Sequence, residues 1–146
     1  MAAKFNIITQ FLKDISFESP NVPELFFKQE NGQAKLEINI DIQIKGAENN
    51  LFMVDLITKA HSTLEEGKKT VFLCESTFSG LVQMEEEKDE EKKKRTLLID
   101  VPTLLFPAVR ALVVRLTSES GFPPFLMPQV DFEELYEKKQ GAANAK

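Results

Sequence analysis

The stretch Leu36-Glu37-Ile38-Asn39-Ile40-Asp41-Ile42-Gln43-Ile44-Lys45 is apolar at every even position and polar at every odd one. Side chains of an extended chain alternate between faces, so this pattern predicts a strand with one oily and one wet face. Four isoleucines strengthen the reading, because β-branched side chains suit a pleated surface. Gly46 to Asn50 carries turn chemistry and predicts a chain reversal. Leu51 to Leu64 then predicts a second strand. Its upper half (Leu51, Phe52, Met53, Val54) is apolar on both faces, as in a strand covered on both sides or touching another subunit. Glu65-Glu66-Gly67-Lys68 predicts a hairpin-like break, with Gly67 available for positive φ. Lys69 to Val82 predicts another strand. Phe72, Cys74, Ser76 and Phe78 share one of its faces, and Val71, Leu73, Glu75 and Thr77 the other. Ser79-Gly80 marks a bulge or a close backbone approach.

Upstream, Gln10-Phe11-Leu12-Lys13-Asp14-Ile15-Ser16-Phe17-Glu18-Ser19-Pro20-Asn21-Val22-Pro23 predicts a first strand that Pro20 and Pro23 end. Strict alternation puts Phe11, Lys13, Ile15 and Phe17 on one face and Asp14, Ser16 and Glu18 on the other. Judged by residue type alone, Asp14 and Glu18 are ordinary solvated residues of a half-exposed strand.

Downstream, Glu85 to Arg95 is a charge block whose acidic half precedes its basic half. Glu90 with Lys94 and Glu91 with Arg95 are favourable i,i+4 pairs, which suit a solvated helical turn or two, with disorder as the alternative. Leu97-Leu98-Ile99 returns to the core. Asp100 is placed to cap a helix that begins near Pro102 and runs to about Glu119. Leu105, Val109, Leu112 and Leu116 form its stripe, flanked by Phe106 and Val113, and Pro107 is expected within its first turn or so. Gly121 stops it, and Phe122-Pro123-Pro124 forces an extended loop. Asp131 with Glu134 opens a last helix, Phe132 to about Lys139. Residues 1–139 are therefore expected as one domain and residues 140–146 as a disordered tail. Four strands followed by helices predict an α+β fold, a four-stranded antiparallel sheet with helices packed on one face. Two long sheet edges and a wide apolar helix favour oligomerisation.

The chain has 146 residues, enough to bury a core without staples or metal. Its net charge of −5 argues against a general nucleic-acid binder. Cys74 is the single cysteine, which excludes an internal disulfide and argues against a cysteine zinc site. Residues 1–10 lack a signal h-region, and no apolar run has transmembrane length. A soluble, cytoplasmic protein without membrane insertion is expected. His61, the single histidine, lies on a strand beside Lys59 and reads as a surface or interface residue. Cys74, alternating with Phe72 and Phe78, reads as a buried small hydrophobe. There is no Gly-rich phosphate loop and no His/Cys ligand cluster, so no catalytic residue, metal site or cofactor is expected.

The opening strand resembles that of the SecB family of bacterial export chaperones. Phe72-Leu73-Cys74-Glu75 is similar to the family's fourth strand, and Leu105-Phe106-Pro107-Ala108-Val109-Arg110 to its helix motif. Gly121-Phe122-Pro123-Pro124 and Val130-Asp131-Phe132-Glu133-Glu134-Leu135-Tyr136 resemble its closing loop and last helix. The resemblance runs in order from about Gln10 to Tyr136. It implies a chaperone that does no covalent chemistry, holds unfolded preproteins in long surface grooves and delivers them to the SecA ATPase. It implies a homotetramer, a dimer of dimers. It also implies that SecA docks on an acidic sheet face, at Asp14, Glu18, Leu73 and Glu75. Zinc would belong to SecA's basic tail and not to this chain. The inner-facing residues Phe72, Cys74, Ser76 and Phe78 are implied in tetramer assembly. Ser76 and Phe78 depart from the family's pattern, which bears on the dimer–dimer contact. Two other readings use the same sheet. One is a chaperone dedicated to a single partner such as an antitoxin. The other is a small-molecule enzyme or binding protein with a polar pocket around His61 or Cys74.

Overall fold

The computed structural model describes residues 3–28, 34–46, 48–64 and 68–144. Strand β1 spans Phe5–Glu18, α1 Glu24–Lys28, β2 Lys35–Gly46, β3 Leu51–Leu64 and β4 Lys69–Met84. Helix α2 spans Glu90–Arg95, α3 Val101–Glu119 and α4 Phe132–Asn144, with a π-helical turn at Thr96–Asp100 joining α2 to α3. The strands form one antiparallel sheet in the order β1-β4-β3-β2, so the fold is the expected α+β arrangement. Asn49 and Asn50, both with positive φ, make the turn between β2 and β3, a conformation asparagine tolerates well. The break expected at Glu65-Glu66-Gly67 lies outside the described residues.

Alternation in β2 works as its composition requires. Leu36, Ile38, Ile40, Ile42 and Ile44 are half-buried against the core, and the polar residues between them are exposed. Cross-strand rows carry this helix-side face across the sheet. One runs Ile38, Ala60, Cys74, Phe17; another, two rows on, runs Ile42, Leu56, Phe78, Leu12. Cys74 is 1% exposed. Burial pushes its thiol upward, and the neighbouring Glu75 charge adds to the effect.

Strand β1 departs from strict alternation. Its register shifts between Ile7 and Thr9 and again between Leu12 and Asp14, so two bulges bracket a segment of inverted facing. Phe11 therefore pairs with Ser79 on the outer face, and Leu12 pairs with Phe78 on the helix side. Lys13, the residue left out at the second bulge, also serves the outer face, where its Nζ lies 3.3 Å from Asp55 Oδ2. The expected grouping of Phe11 and Lys13 with Ile15 and Phe17 is thus corrected. A one-residue insertion reverses every facing beyond it, and composition does not show where that insertion falls.

The helical turns that the charge block allows are present, and they run on into the main helix. Asp89, not Asp100, is the N-cap: its Oδ1 accepts from the Glu91 and Lys92 amides at 3.1 and 3.3 Å. Asp100 has helical φ and ψ and makes no cap bond. The chain is continuously helical from Glu90 to Glu119, and the wider turn lies just before Pro102. The Val101 amide bonds the Thr96 carbonyl, five residues back, which fits a place where proline removes the ordinary donor. Pro107 consequently lies inside the helix. It and Thr103 are exposed, the side on which an unpaired carbonyl is best tolerated. By length and composition alone, Glu90–Glu119 would suffice to cross a membrane, contrary to the expectation that no run qualifies. In this fold it serves as the core helix. Val101, Leu105, Val109 and Val113 are 0% exposed, and Thr117 completes the i+4 row. Leu112 and Leu116, expected on the stripe, are half-buried beside it. Gly80 marks a close approach, since a Cβ there would lie 3.2 Å from Leu105 Cδ2. Helix α4 continues to Asn144, beyond the expected Lys139.

Leu105 is the central knob of this contact. Leu105→Ala should destabilise the fold by about 2–5 kcal/mol, the usual cost of an unfilled leucine site. Urea unfolding at fixed protein concentration should show a lower midpoint with an unchanged slope. A loss under about 1 kcal/mol would contradict this packing.

Candidate functional site

Beyond its second bulge, β1 presents Asp14, Ser16 and Glu18 outward against Thr77, Glu75 and Leu73 of β4. Glu18 and Leu73 are direct cross-strand partners. Glu75, opposite Ser16, sits diagonally between Asp14 and Glu18. The four expected docking residues are therefore gathered on one face of two paired strands. Asp14, Glu18 and Glu75 are exposed, and Leu73 is half-buried. Lys59 of β3 lies 3.6 Å from Glu75 with both side chains about half exposed, a pair worth roughly 0–1 kcal/mol. Half-buried Ile57, Thr77 and Leu81 floor the face, with Phe11 exposed beside them. The patch thus combines negative charge with apolar surface.

On the same face, Asp55 is 3% exposed. Ser79 donates to its Oδ1 at 2.5 Å, and Lys13 donates to its Oδ2 at 3.3 Å. Neither contact was foreseen from the sequence. Asp55 occupies an apolar strand, and the only legible sign of its setting was its apolar flanks, Val54 and Leu56.

Phe72, Cys74, Ser76 and Phe78 share the helix-side face, as alternation predicts. Phe72, Cys74 and Ser76 are buried within the protomer and Phe78 is half-buried. Ser76 and Phe78 pair with Ile15 and Leu12 of edge strand β1, which are 37% and 41% exposed on that side. An uncovered apolar strip therefore runs along the β1 edge.

A second apolar surface lies at one end of the sheet. Phe17 and Phe72 stack with centroids 5.7 Å apart. Phe72 also meets Phe122 and Phe125 at 6.2 and 6.3 Å, and Phe122 meets Phe26 of α1 at 5.6 Å. The ladder thus leads from a buried ring to Phe26, 45% exposed, beside Phe27, 79% exposed. Ser19 Oγ and Asn21 Nδ2 donate to the carbonyls of Val71 and Thr70, tying the segment after β1 to β4. Thr117 Oγ1 accepts from the Phe125 amide, fixing the other loop. Leu126 follows at 63% exposure. The sequence reading passed over Phe26 and Phe27, although adjacent phenylalanines after a Pro/Asn-rich segment were the available signal.

His61 is half-buried on the outer face with Nε2 3.0 Å from Thr70 Oγ1. Cys74 lies on the opposite face, so the sheet separates the two residues that an enzyme reading would use together. Among the described residues, no group of three or more His, Cys, Asp or Glu is arranged to hold a metal ion. Tyr136 donates to Glu91 Oε1 at 2.8 Å, and burial together with that bond pushes its hydroxyl upward. Burial also raises the Asp100 carboxyl, against the opposing effect of Arg95.

Comparison with known proteins bears on the family and the fold. The model of the family described as "Preprotein translocase subunit SecB" matches residues 1–143. A "Protein-export protein SecB" from Anaplasma marginale (strain Florida) is 32% identical, the match covering 100% of this chain and 88% of that protein. Another, from Anaplasma phagocytophilum (strain HZ), is 34% identical over 99% of this chain and 98% of its own. Among solved structures, a Mycobacterium tuberculosis SecB-like chaperone in complex with a peptide from the HigA1 antitoxin superposes with a TM-score of 0.69. That match has 14% identity and covers 86% of this chain and 89% of the other. With a family match spanning nearly the whole sequence on the fold that the strand pattern predicts, this chain belongs to the SecB family of protein-export chaperones.

Proposed function

We propose that this protein holds unfolded preproteins in the cytoplasm, without ATP or covalent chemistry, and passes them to SecA through the outer face of β1 and β4. The carrying observation is the convergence of Asp14, Glu18, Leu73 and Glu75 on paired positions of one sheet face. Exposed carboxylates around an apolar floor suit a basic segment with hydrophobic side chains, and opposite charge speeds the encounter. The aromatic ladder from Phe72 to Phe26 and Phe27 suits apolar stretches of an extended client. Binding by buried apolar area needs no nucleotide, and it ends when folding hides those stretches. Assembly as a homotetramer built from dimers is supported by the uncovered edge strip Leu12 and Ile15, next to Phe78 and Ser76. In that assembly, Phe72, Cys74, Ser76 and Phe78 act through packing, by shaping the helix-side surface beneath the strip. Several grooves on one particle would then give avidity from weak contacts.

Charge reversal tests docking. Asp14→Lys and Glu75→Lys should each weaken SecA binding at least tenfold, about 1.4 kcal/mol or more. Added salt should weaken the wild-type complex. Since the Lys59–Glu75 pair is exposed, thermal stability should change little. Full SecA affinity in both variants, with the fold intact, would remove this face from the proposal.

Client binding is read from suppression of aggregation of a reduced, unfolded protein without ATP. Phe27→Ser combined with Leu126→Ser should weaken client binding, read as suppression, by about tenfold or more, since each removes an apolar anchor worth roughly 1.5–3 kcal/mol when fully buried, and leave SecA affinity unchanged. Undiminished suppression would place the client surface elsewhere.

Sedimentation at micromolar concentration should give mainly tetramer, with dimer on dilution. Ile15→Lys should shift the distribution toward smaller species. A monomer at every concentration would refute the assembly.

A further inference from the structure

We propose that Lys13 and Asp55 are positioning residues, whose ion pair fixes the β1 bulge in place and so sets the direction of Asp14 on the docking face. The inference rests on the docking reading above.

Lys13 is the one residue between Leu12, paired with Phe78, and Asp14, paired with Thr77, that has no cross-strand partner. Neighbouring residues of an edge strand can compete for the bulge position, and moving the bulge one residue reverses the facing of the residue it passes. Two anchors are visible. Downstream, Phe17 stacks on Phe72 at 5.7 Å, which keeps Phe17 on the helix side and Glu18 outside. At the bulge, the Lys13 side chain reaches across β4 to Asp55 of β3, two strands away in the sheet. Asp55 is 3% exposed and held from its other oxygen by Ser79, which is 0% exposed. The carboxylate is therefore a stationary target with one oxygen left for an ammonium group. Removing the lysine leaves that charge underpaired, so the pair favours the observed bulge position over its neighbours. Asp14, adjacent to the bulge, depends on this anchor. Glu18, held by the Phe17 stack, does not.

Simple electrostatics predicts the opposite result, which makes the test one of sign. Lys13→Met removes a positive charge from an acidic face, so an electrostatic effect alone would tighten the binding of a basic partner. Positioning requires binding to weaken. Lys13→Met should lower the affinity for purified SecA about three- to tenfold, comparable to Asp14→Ala. The two changes combined should be little worse than either, because both remove the same contribution. Lys13→Arg should restore most of the affinity. The double variant Lys13→Met/Asp55→Asn keeps the net charge of the face and leaves no buried carboxylate unpaired. It should fold normally and still bind weakly. A readout independent of SecA is amide exchange in the free protein, which in the double variant should accelerate at the amides of Asp14 to Ser16 that bond β4 and stay unchanged at the one of Phe17 and Glu18 that does. Tighter or unchanged SecA binding in either variant, or unchanged exchange at the Asp14 to Ser16 amides, overturns the inference. Failure of the docking reading itself would show differently, as indifference of SecA to Glu75→Lys while the exchange result stands.

Discussion

The seating of one helix row on the sheet governs the rest of the molecule. Val101, Leu105, Val109 and Val113 are completely buried, and Gly80 lets the helix come within contact of β4. That close approach orients α3 over the central strands and leaves its far side, with Leu104 exposed, to the surroundings. Once one sheet face is committed to helices, the other is left bare, and every polar residue of matching parity must appear there. The acidic face is a geometric consequence of where the core lies.

The two sheet faces carry different physics. On the outer side, charged groups ring a thin apolar floor, a combination in which charge governs encounter rate and registration. On the helix side and at the aromatic end, rings and aliphatic chains are left partly uncovered, and attraction there scales with area and lacks direction. Apolar attraction of this kind discriminates little between extended chains, which is why the proposed function places clients there. Under the proposed function, the separation keeps a poorly specified ligand and a well-specified partner on different surfaces. Phe17, on the helix side, joins the two surfaces, since its stacking on Phe72 keeps Glu18 facing outward.

Long strands bring a second constraint. Both edge strands exceed ten residues, and unpaired edges invite further pairing. Strand β1 answers with two bulges and with lysine and acidic residues outward, while keeping Leu12 and Ile15 exposed on the helix side. Bulges and outward charges are features that blunt an edge against open-ended strand addition, and the apolar strip beside them is left uncovered.

Much of this was legible in the residues. Strict alternation from Leu36 to Lys45 determined a two-faced strand, and the order of strands before helices determined an α+β fold with the helices on one side. Resemblance to a known family named Asp14, Glu18, Leu73 and Glu75 together, and parity agreed within each strand. Where facing depended on an inserted residue, sequence was silent. A bulge costs one register step and leaves no compositional trace, so Phe11 and Lys13 were assigned to the wrong face. Asp100 does not start the helix because a wide turn before Pro102 lets the helix run through it from the Asp89 cap. Lys13 lies 42 positions from Asp55, and Asp55 another 24 from Ser79, so the three became a network only when three strands were laid side by side. Local periodicity determined which segments form strands and helices. Only the tertiary structure decided which residues face which partner, because facing depends on register between strands, and register is a property of the pair and not of either sequence alone.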